Sequence, residues 1–429
     1  MMAEVGESEN RFDSTVLAQL CRRAGADDLG FVELARDTLM GQRDSVLRAL
    51  PWVRSFVVFV RRLNRHAIRA PLRSLSSAEF IEGGHDVKAI VHRVARELEI
   101  EGVRAVGISG LFPMEFGRQD GSPFVVSLKH LAQAAGLGVM GKNRLVLHPK
   151  FGADIQLGAI AIDRPLTTYD QPLASSPCLN CNMCVVACPT GAIAKDGHFD
   201  FGSCMTHNYR EKTSGFVEWI HTLADSRNRR DYRRRVTDAE TQSWWQSLGY
   251  EANTHCDYCM AVCPAGDEAT AFKVNRKVHY RDIVAPLRAR RESVYVVSSS
   301  DAEAHVAATF PHKTVRRIGS GRSVDSIQGL LHMLPLVFQR GRSVGLNARY
   351  HFRFRGREAA EATIDIRNQQ IKVEAGLVGK ADLTVTADSD AWLGLLAKDR
   401  HLVWELLRGG VRLKGSPKLL KHFGKCFPS

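Results

Sequence analysis

The sequence predicts a mixed α+β protein built from two or three domains, because 429 residues exceed what one hydrophobic core usually holds. Three observations predict this class. Helical and strand-like patterns alternate from about residue 13 to 170, two cysteine motifs fill residues 177–271, and strands followed by helices occupy residues 346–423. We therefore divide the chain into domains at 1–170, at 171–300 with an insertion at 205–255, and at 310–429.

In the first domain, apolar residues recur at helical spacing in three segments and form short unbroken runs in two others. This alternation predicts a mixed α/β or α+β domain. The predicted helices are Ser14–Ala24, Val87–Leu98 and Ser127–Ala135, and the predicted strands are Phe56–Val60 and Ala105–Ile108.

Eight of the ten cysteines belong to two groups with iron–sulfur spacing, seven of them in two motifs and the eighth between the motifs. The second motif lacks one upstream cysteine, and Cys204 is the obvious replacement. Cys21 and Cys426 remain, and we expect them to pack as small hydrophobic residues. The motifs are Cys178-x2-Cys181-x2-Cys184-x3-Cys188-Pro189 and Cys256-x2-Cys259-x3-Cys263-Pro264.

Ferredoxins with two clusters exchange ligands, because the cysteine before the proline binds the other cluster. Zinc is the alternative, since C-x2-C pairs also form zinc ribbons and fingers, but the longer spacing and both prolines favour two [4Fe–4S] clusters. The exchange rule predicts one cluster on Cys178, Cys181, Cys184 and Cys263, and the other on Cys188, Cys204, Cys256 and Cys259.

Composition excludes a membrane-spanning protein and favours a soluble one. The chain is 44% hydrophobic and 24% charged, and it has no apolar stretch long enough to cross a bilayer. The segment from Met1 to Phe12 has neither a secretory pattern nor a twin-arginine motif, so we expect a cytoplasmic location, where reduced thiols and clusters persist.

The formal net charge is +13, and much of it lies in one run of arginines. Such a run can bind RNA, phosphate groups or an acidic redox partner. We favour a solvated helix or loop over a nucleic-acid site, because a run of like charges is usually a solvated segment. Its members are Arg227, Arg229, Arg230, Arg233, Arg234 and Arg235.

A glycine-rich segment precedes the cysteines. A helix opening at Ser127 ends at Gly136, and Gly138 and Gly141 follow at once. The glycines either stop the helix before a tight turn or let the backbone approach a bulky ligand. A phosphate loop is excluded, because the segment lacks the G-x-x-x-x-G-K-[ST] motif and its glycines close a helix instead of opening one.

This segment, Ala135-Gly-Leu-Gly-x-x-Gly-Lys-Asn143, together with Gly152, Pro165-Leu166 and both cysteine motifs, resembles the epoxyqueuosine reductase and reductive dehalogenase superfamily. The resemblance covers about residues 14–290. It implies a nitroreductase-like core that holds cobalamin, and two [4Fe–4S] clusters reduced by a donor such as ferredoxin or flavodoxin. The residues expected to contact cofactor are Gly136, Gly138, Gly141, Lys142, Asn143 and His207.

The resemblance fails at the proton donor. Epoxyqueuosine reductases carry an acid in an Asp-Ser-Ala-Pro segment whose place is here taken by Ser122. Asp120, Glu115 and His130 are the candidate catalytic acids nearby. The helical-repeat tail of that family is also not apparent.

The last domain shows strict apolar alternation, which is typical of a sheet with one buried face. About Val324 to Pro428 is similar to the sterol carrier protein type-two family, which implies a twisted sheet covered by helices around a lipid site. An ordinary core is the alternative for any one of the apolar residues that could line it. These are Leu330, Leu331, Leu334, Leu336, Val337, Phe338, Trp392, Leu395, Leu396 and Trp404.

Together the two resemblances predict an iron–sulfur, cobalamin-dependent oxidoreductase that acts on an apolar or lipid-like substrate. The first alternative is a two-cluster electron-transfer protein with a lipid-binding module and no corrinoid. A lipid-binding or sensing protein with structural clusters, and a tRNA-modifying enzyme, are the remaining alternatives.

Overall fold

The computed structural model describes residues 11–110, 124–251, 254–321 and 324–428. They form two compact units. The first unit combines the residues up to Ala187 with Asp257–Arg288, and the second combines Cys188–Cys256 with the residues from Ala289 onward. Helices and strands occur together in both units, which confirms the predicted mixed α+β class.

The helices up to residue 261 are α1 Ser14–Ala24, α2 Met40–Ala49, α3 Arg65–Ile68, α4 Arg73–Ile100, α5 Leu128–Ala134, α6 Met183–Ala187, α7 Phe201–Asn208, α8 Thr213–Ala224, α9 Arg229–Arg235, α10 Asp238–Tyr250 and α11 Tyr258–Ala261. The later ones are α12 Ala269–Val274, α13 Arg276–His279, α14 Ala285–Ala289, α15 Asp301–Thr309, α16 Ile327–Val337, α17 Ser389–Leu396, α18 Leu402–Arg408 and α19 Pro417–Lys425. A π-helical segment, Tyr280–Val284, lies between α13 and α14.

The strands of the first unit are β1 Asp28–Glu33, β2 Ser55–Arg62, β3 Ala105–Ser109, β4 Val139–Met140, β5 Val146–Leu147 and β6 Ile155–Ile162. Those of the second unit are β7 Ser293–Val297, β8 Thr314–Ile318, β9 Ala348–Arg355, β10 Ala360–Arg367, β11 Gln370–Ala375, β12 Leu383–Asp388 and β13 Val411–Gly415.

The first unit is built on an antiparallel sheet of order β1-β2-β6-β3. Both faces of this sheet are covered by helices, which explains why β2 and β6 are apolar without alternation. Phe56 and Val58 enter the core shared with α2 and α5, whereas Val57 and Phe59 enter the core shared with α1 and α4. The sheet therefore holds α5, and the glycine segment after it, on one defined face.

Helix α4 begins at Arg73, well before the helix predicted at Val87. Its first half contains Gly83 and Gly84, which weaken the helical pattern in the sequence. The structure explains the first glycine, because a Cβ there would collide with Leu63. Tertiary packing has overridden propensity in this half of the helix.

The second unit contains a parallel pair, β7 and β8, connected by α15. A five-stranded sheet of order β11-β10-β9-β12-β13 follows, in which β9 pairs in parallel with β12 and antiparallel with β10. Tyr350, Phe352 and Phe354 alternate along β9 and fill the core, as strict alternation predicts.

Candidate functional site

One recess of the first unit is lined by four cysteines from both sequence motifs. Cys178, Cys181 and Cys184 come from the first motif, and Cys263 comes from the second. Asn180 and Asn182 adopt left-handed backbone conformations, with φ of 50° and 62°, and wind the first motif around the recess. This is the ligand set that the exchange rule predicts for one cluster.

The recess fits a [4Fe–4S] cluster by the chemistry of its donors. Burial, followed by the proximity of Cys181 and Cys178, raises the pKa of the Cys184 thiol to about 12. Burial raises the pKa of the Cys263 thiol to about 12 as well, and Cys181 and Cys184 add to that rise. Burial and, to a smaller degree, the neighbouring cysteines disfavour the charged thiolates, so thiolates in this recess would require a nearby cation to balance their charge.

Among the described residues, no three His, Cys, Asp or Glu side chains are arranged to hold a single metal ion. A [4Fe–4S] cluster needs a different arrangement of ligands from a single metal ion. Each cysteine binds its own iron atom, so the sulfurs need not converge on one point. All ten cysteines are described, and none of them forms a disulfide.

An ion-pair network fixes the second motif from helix α3. The guanidinium of Arg69 donates to the carbonyl of Ala261 at 2.9 Å and to both carboxylate oxygens of Glu268, at 2.7 and 2.6 Å. Arg65 lies 2.5 Å from Asp154 and 3.3 Å from Glu268. Burial raises the pKa of Asp154. Burial also acts to raise the pKa of Glu268, but the hydrogen bonds and charge of Arg69, together with the charge of Arg65, outweigh it and lower that pKa. The loop that carries Cys263 is thus held from a distant part of the sequence.

Lys142 and Asn143, two of the predicted cofactor contacts, line this same recess. The Lys142 ammonium donates to the side chain of Asn182 at 2.8 Å. The buried Asn143 donates to the carbonyl of Cys259 at 3.1 Å. The two side chains therefore connect the glycine segment to both cysteine motifs.

The glycines themselves are explained by the packing of the chain. Gly136 has a φ of 71° and ends α5 in a Schellman motif, in which it donates to Gln133 and Leu137 donates to Ala132. A Cβ at Gly138 would lie 2.5 Å from the carbonyl oxygen of Leu147, across the β4–β5 hairpin. A Cβ at Gly141 would lie 2.7 Å from Cδ1 of Leu147. These observations favour the helix stop and tight turn, and the contact of these glycines with a corrin remains a prediction.

The ligand set expected for the second cluster, Cys188, Cys204, Cys256 and Cys259, stays a prediction. Cys188, Cys204 and Cys256 belong to the second unit, whereas Cys259 belongs to the first. Cys204 lies on α7, the helix that ends at Asn208. The Asn208 side chain accepts a hydrogen bond from the Cys256 backbone at 3.1 Å, so the second unit itself ties Cys256 to the helix of Cys204.

His207, also predicted to contact cofactor, is buried in a polar core of the second unit. Its Nδ1 accepts a hydrogen bond from the backbone of Tyr295 at 3.4 Å, and the two rings stack with centroids 6.3 Å apart. His255 lies beside it and pairs with the buried Glu211 at 2.7 Å. The role of His207 at a cluster or cofactor is still a prediction.

Sequence reasoning missed the charged members of this core. Arg210 and Glu218 form a buried ion pair, and the Arg210 guanidinium lies 5.8 Å from the ring of Trp244. Lys212 donates to Thr254 at 3.2 Å, and burial lowers the pKa of its ammonium to about 8. In the sequence these residues fall in a polar insertion with no recognisable motif, so their burial could not be predicted.

Only one of the three candidate catalytic acids, His130, lies within the described residues. Glu115 and Asp120 lie outside the described residues. His130 lies on α5 with its side chain exposed, and its backbone donates to the carbonyl of Ser127. All three assignments remain predictions.

Part of the arginine run is paired within its own region. Arg234 and Arg235 both contact Asp231, at 2.9 and 3.2 Å, and Arg233 contacts Asp238 at 3.2 Å. This pairing along α9 and into α10 agrees with the interpretation of the run as a solvated helix.

The predicted lipid-lining residues divide into two groups. Leu330, Leu334 and Trp392 are buried in the core under the five-stranded sheet. Trp404 was expected to line the same space, but its side chain is exposed. The cause is the orientation of α18, whose buried position is occupied by Glu405.

Comparison with known proteins confirms both resemblances. Residues 339–428 match the SCP-2 sterol transfer family. The chain is also 39% identical over 154 residues to epoxyqueuosine reductase from Cyclobacterium marinum, a match that covers 35% of this chain and 41% of that enzyme. The chain thus spans less than half the length of this curated relative.

Solved structures give the same neighbours. A crystal structure of epoxyqueuosine reductase with an epoxyqueuosine-modified tRNA-Tyr stem loop is 16% identical, with a TM-score of 0.38 over 75% of this chain and 86% of that one. A catabolic reductive dehalogenase in complex with 3-bromo-4-hydroxybenzoic acid is 16% identical, with a TM-score of 0.38 over 68% of this chain and 34% of that one. No helix among the described residues is long and apolar enough to cross a bilayer.

Proposed function

We propose that this protein is an iron–sulfur reductase of the epoxyqueuosine reductase and reductive dehalogenase type, carrying two [4Fe–4S] clusters and a corrinoid, and acting on an apolar or lipid-like substrate. The observation that carries the proposal is the shared recess of Cys178, Cys181, Cys184 and Cys263. Sharing of thiolates between distant motifs is the ligand pattern of two-cluster ferredoxins.

Bound clusters would supply one-electron transfer, and a corrinoid would supply a strongly reducing metal centre. The chain's own contribution at the first cluster is positional. Lys142 and Asn143 orient the two cysteine loops and also place a positive charge on the wall of the recess, where it would favour the reduced, more negative cluster. The glycines expected to contact a corrinoid are accounted for by chain packing.

An electron donor such as a ferredoxin or flavodoxin is part of the proposal, and a basic surface next to the first motif supports it. Arg276 donates to the carbonyl of Cys181 at 2.5 Å, and both Arg276 and Lys277 are exposed on α13. These donors are acidic proteins as a class, and opposite charge accelerates encounter with such a surface. Electrons would enter close to Cys181.

The match to the SCP-2 sterol transfer family supports a lipid-like ligand for residues 339–428. We propose that this region holds or delivers the apolar substrate. The proton donor is proposed among Asp120, Glu115 and His130, and a cytoplasmic location remains our expectation.

The decisive experiment is anaerobic purification, with quantification of iron, sulfide and cobalt before and after reconstitution with cobalamin. We expect about eight iron and eight sulfide per chain, and paramagnetic signals after dithionite reduction. Cobalt binding supports the corrinoid enzyme. Clusters that persist without cobalt after reconstitution would instead support the electron-transfer alternative, and zinc without sulfide would exclude both.

Donor entry is tested with the charge-reversed variant Lys273→Glu/Lys277→Glu, which changes two exposed lysines on this surface and keeps the bond from Arg276 to Cys181. Its rate of reduction by ferredoxin should fall and lose most of its dependence on salt, while reduction by the small molecule dithionite should not change. The matched control reverses two arginines of the solvated run, Arg229→Glu/Arg230→Glu. Equal slowing by both pairs would show that net charge alone is responsible.

A further inference from the structure

Helix α18 has its apolar side chains on the outside. Val403, Trp404 and Leu407 are 67%, 57% and 73% exposed, whereas Glu405 is only 5% exposed. With 3.6 residues per turn, Val403 and Leu407 lie on the face opposite Glu405. A helix in a water-soluble protein normally has the reverse arrangement.

The buried carboxylate of Glu405 has its contacts within the second unit. Arg400 contacts its carboxylate at 3.3 Å, and Gly410 leaves room for it, since a Cβ there would collide with the carboxylate. The helix is therefore held through its polar residue, which turns Val403 and Leu407 toward solvent. This orientation is built into the fold and does not depend on a neighbouring chain.

Positive charge lies beside the apolar face. The Arg408 guanidinium lies 5.9 Å from the ring of Trp404, and Arg412 lies against Gly409 at the end of the helix. Residues 398–425 contain eight lysine and arginine residues and only two acidic ones. Arg412 and Lys414 are exposed on β13, the edge strand of the five-stranded sheet.

We propose that α18 docks the protein on an anionic lipid surface, with Val403, Trp404 and Leu407 inserted at the headgroup level and the surrounding basic residues contacting lipid phosphates. A short helix with protruding aliphatic and tryptophan side chains and a cationic border has the chemistry of an interfacial membrane anchor. The complementary charge selects a negative bilayer over a second copy of this basic chain, because two such faces would repel each other. This inference does not depend on the reductase proposed above.

The test uses the full-length protein with vesicles of phosphatidylcholine alone or mixed with phosphatidylglycerol. We expect sedimentation with the mixed vesicles, weaker binding to the zwitterionic ones, and a loss of binding as salt rises. Val403→Ser/Leu407→Ser should weaken binding by about tenfold or more without changing thermal unfolding, because both side chains are exposed. Ile100→Ser is the matched control, since Ile100 is 77% exposed elsewhere and should not alter binding.

A second measurement separates insertion from simple charge attraction. Arg408→Gln/Arg412→Gln should reduce both the affinity for mixed vesicles and its salt dependence, while the serine variant should reduce affinity and leave the salt dependence intact. Equal binding by wild type and the serine variant would overturn the proposal. So would a failure of wild type to bind either vesicle, or a concentration-dependent dimer that the serine substitutions abolish.

Discussion

The side chain of Asn143 donates a hydrogen bond of 3.1 Å to the carbonyl oxygen of Cys259. Asn143 ends the glycine segment, and Cys259 lies in the second cysteine motif, so one buried amide joins two features that are far apart in the sequence. The same side chain accepts from the backbone of Leu145 at 3.3 Å. Asn143 is thus a donor and an acceptor at once.

Replacing Asn143 should show which of these bonds matters. Asn143→Ala removes both bonds and should lower stability by about 1–3 kcal/mol, because the Cys259 carbonyl would lose its buried partner. Asn143→Asp keeps the acceptor for Leu145 but cannot donate, and we expect it to be at least as damaging. Thermal unfolding under anaerobic conditions measures both variants. An Asp variant as stable as wild type would show that the bond to Cys259 contributes nothing.

Loss of Cys263 should remove the cluster assigned to the first motif. Cys263→Ala and Cys184→Ala should each lose about four iron per chain and give the same residual spectrum, because both cysteines line one recess. Cys204→Ala should lose the other cluster and leave a different spectrum. Cys21→Ala is the control, since Cys21 is buried in the apolar core and should keep all its iron. If Cys263→Ala matches Cys204→Ala instead, the ligand exchange is wrong.

Gly136 should not tolerate a side chain. Gly136→Ala places a Cβ at a φ of 71° and against the carbonyl of Gln171, so it should lower stability by more than about 1 kcal/mol. Gly41→Ala is the matched control, because Gly41 lies in α2 with open space around its Cα. That substitution should raise stability by about 0.5–1 kcal/mol through helix propensity. Equal effects of the two substitutions in thermal unfolding would contradict the Schellman assignment.

His279 should lower the free energy of unfolding in mild acid. Burial lowers the pKa of His279 below its ordinary value of about 6.5, and the charge of Arg69 adds to this effect while Glu268 opposes it. The unfolded chain therefore binds the proton first, so stability falls as the pH drops below that ordinary value. The neutral ring donates Nε2–H to the carbonyl of Val262 at 3.0 Å, which His279→Gln can reproduce without titrating.

The measurement for His279 is the difference in unfolding temperature between about pH 7.5 and about pH 5.5. This difference should be smaller in His279→Gln than in wild type. His130→Gln, at an exposed histidine on α5, is the matched control for replacing an imidazole with an amide. An identical pH dependence in wild type and His279→Gln would contradict the assigned role of burial.

Some elements could be predicted from short-range patterns in the sequence, such as the spacing of apolar residues and of cysteines. The helix Ser14–Ala24 and the core of strand β2 follow from apolar spacing, and the cysteine recess follows from the exchange rule for ligands. The glycine segment could not be decided in this way, because Gly136 and Gly138 serve a helix stop as well as they serve a ligand. The hydrogen bonds around Gly136 show the helix stop, and the contact with a ligand stays a prediction.

Other features depend on partners that are remote in the sequence. The first half of α4 needs the side chain of Leu63 to fit against Gly83, and the environment of His207 depends on Tyr295. Trp404 has the composition of a core residue, yet Glu405 takes the inward position of its helix. No period or spacing could reveal that a charged residue would displace an aromatic one.

The hydrogen bonds from Arg69 to Ala261 and Glu268 affect the order in which the protein can fold during synthesis. The first unit is completed only when Asp257–Arg288 returns to the residues up to Ala187. Arg69 can reach its partners only after the second motif has been synthesised, and the recess has all four of its cysteines only once Cys263 is made. A fragment of residues 171–300 would lack Arg69, Lys142 and Asn143. Its cysteine loops would therefore lose the side chains that hold them in place.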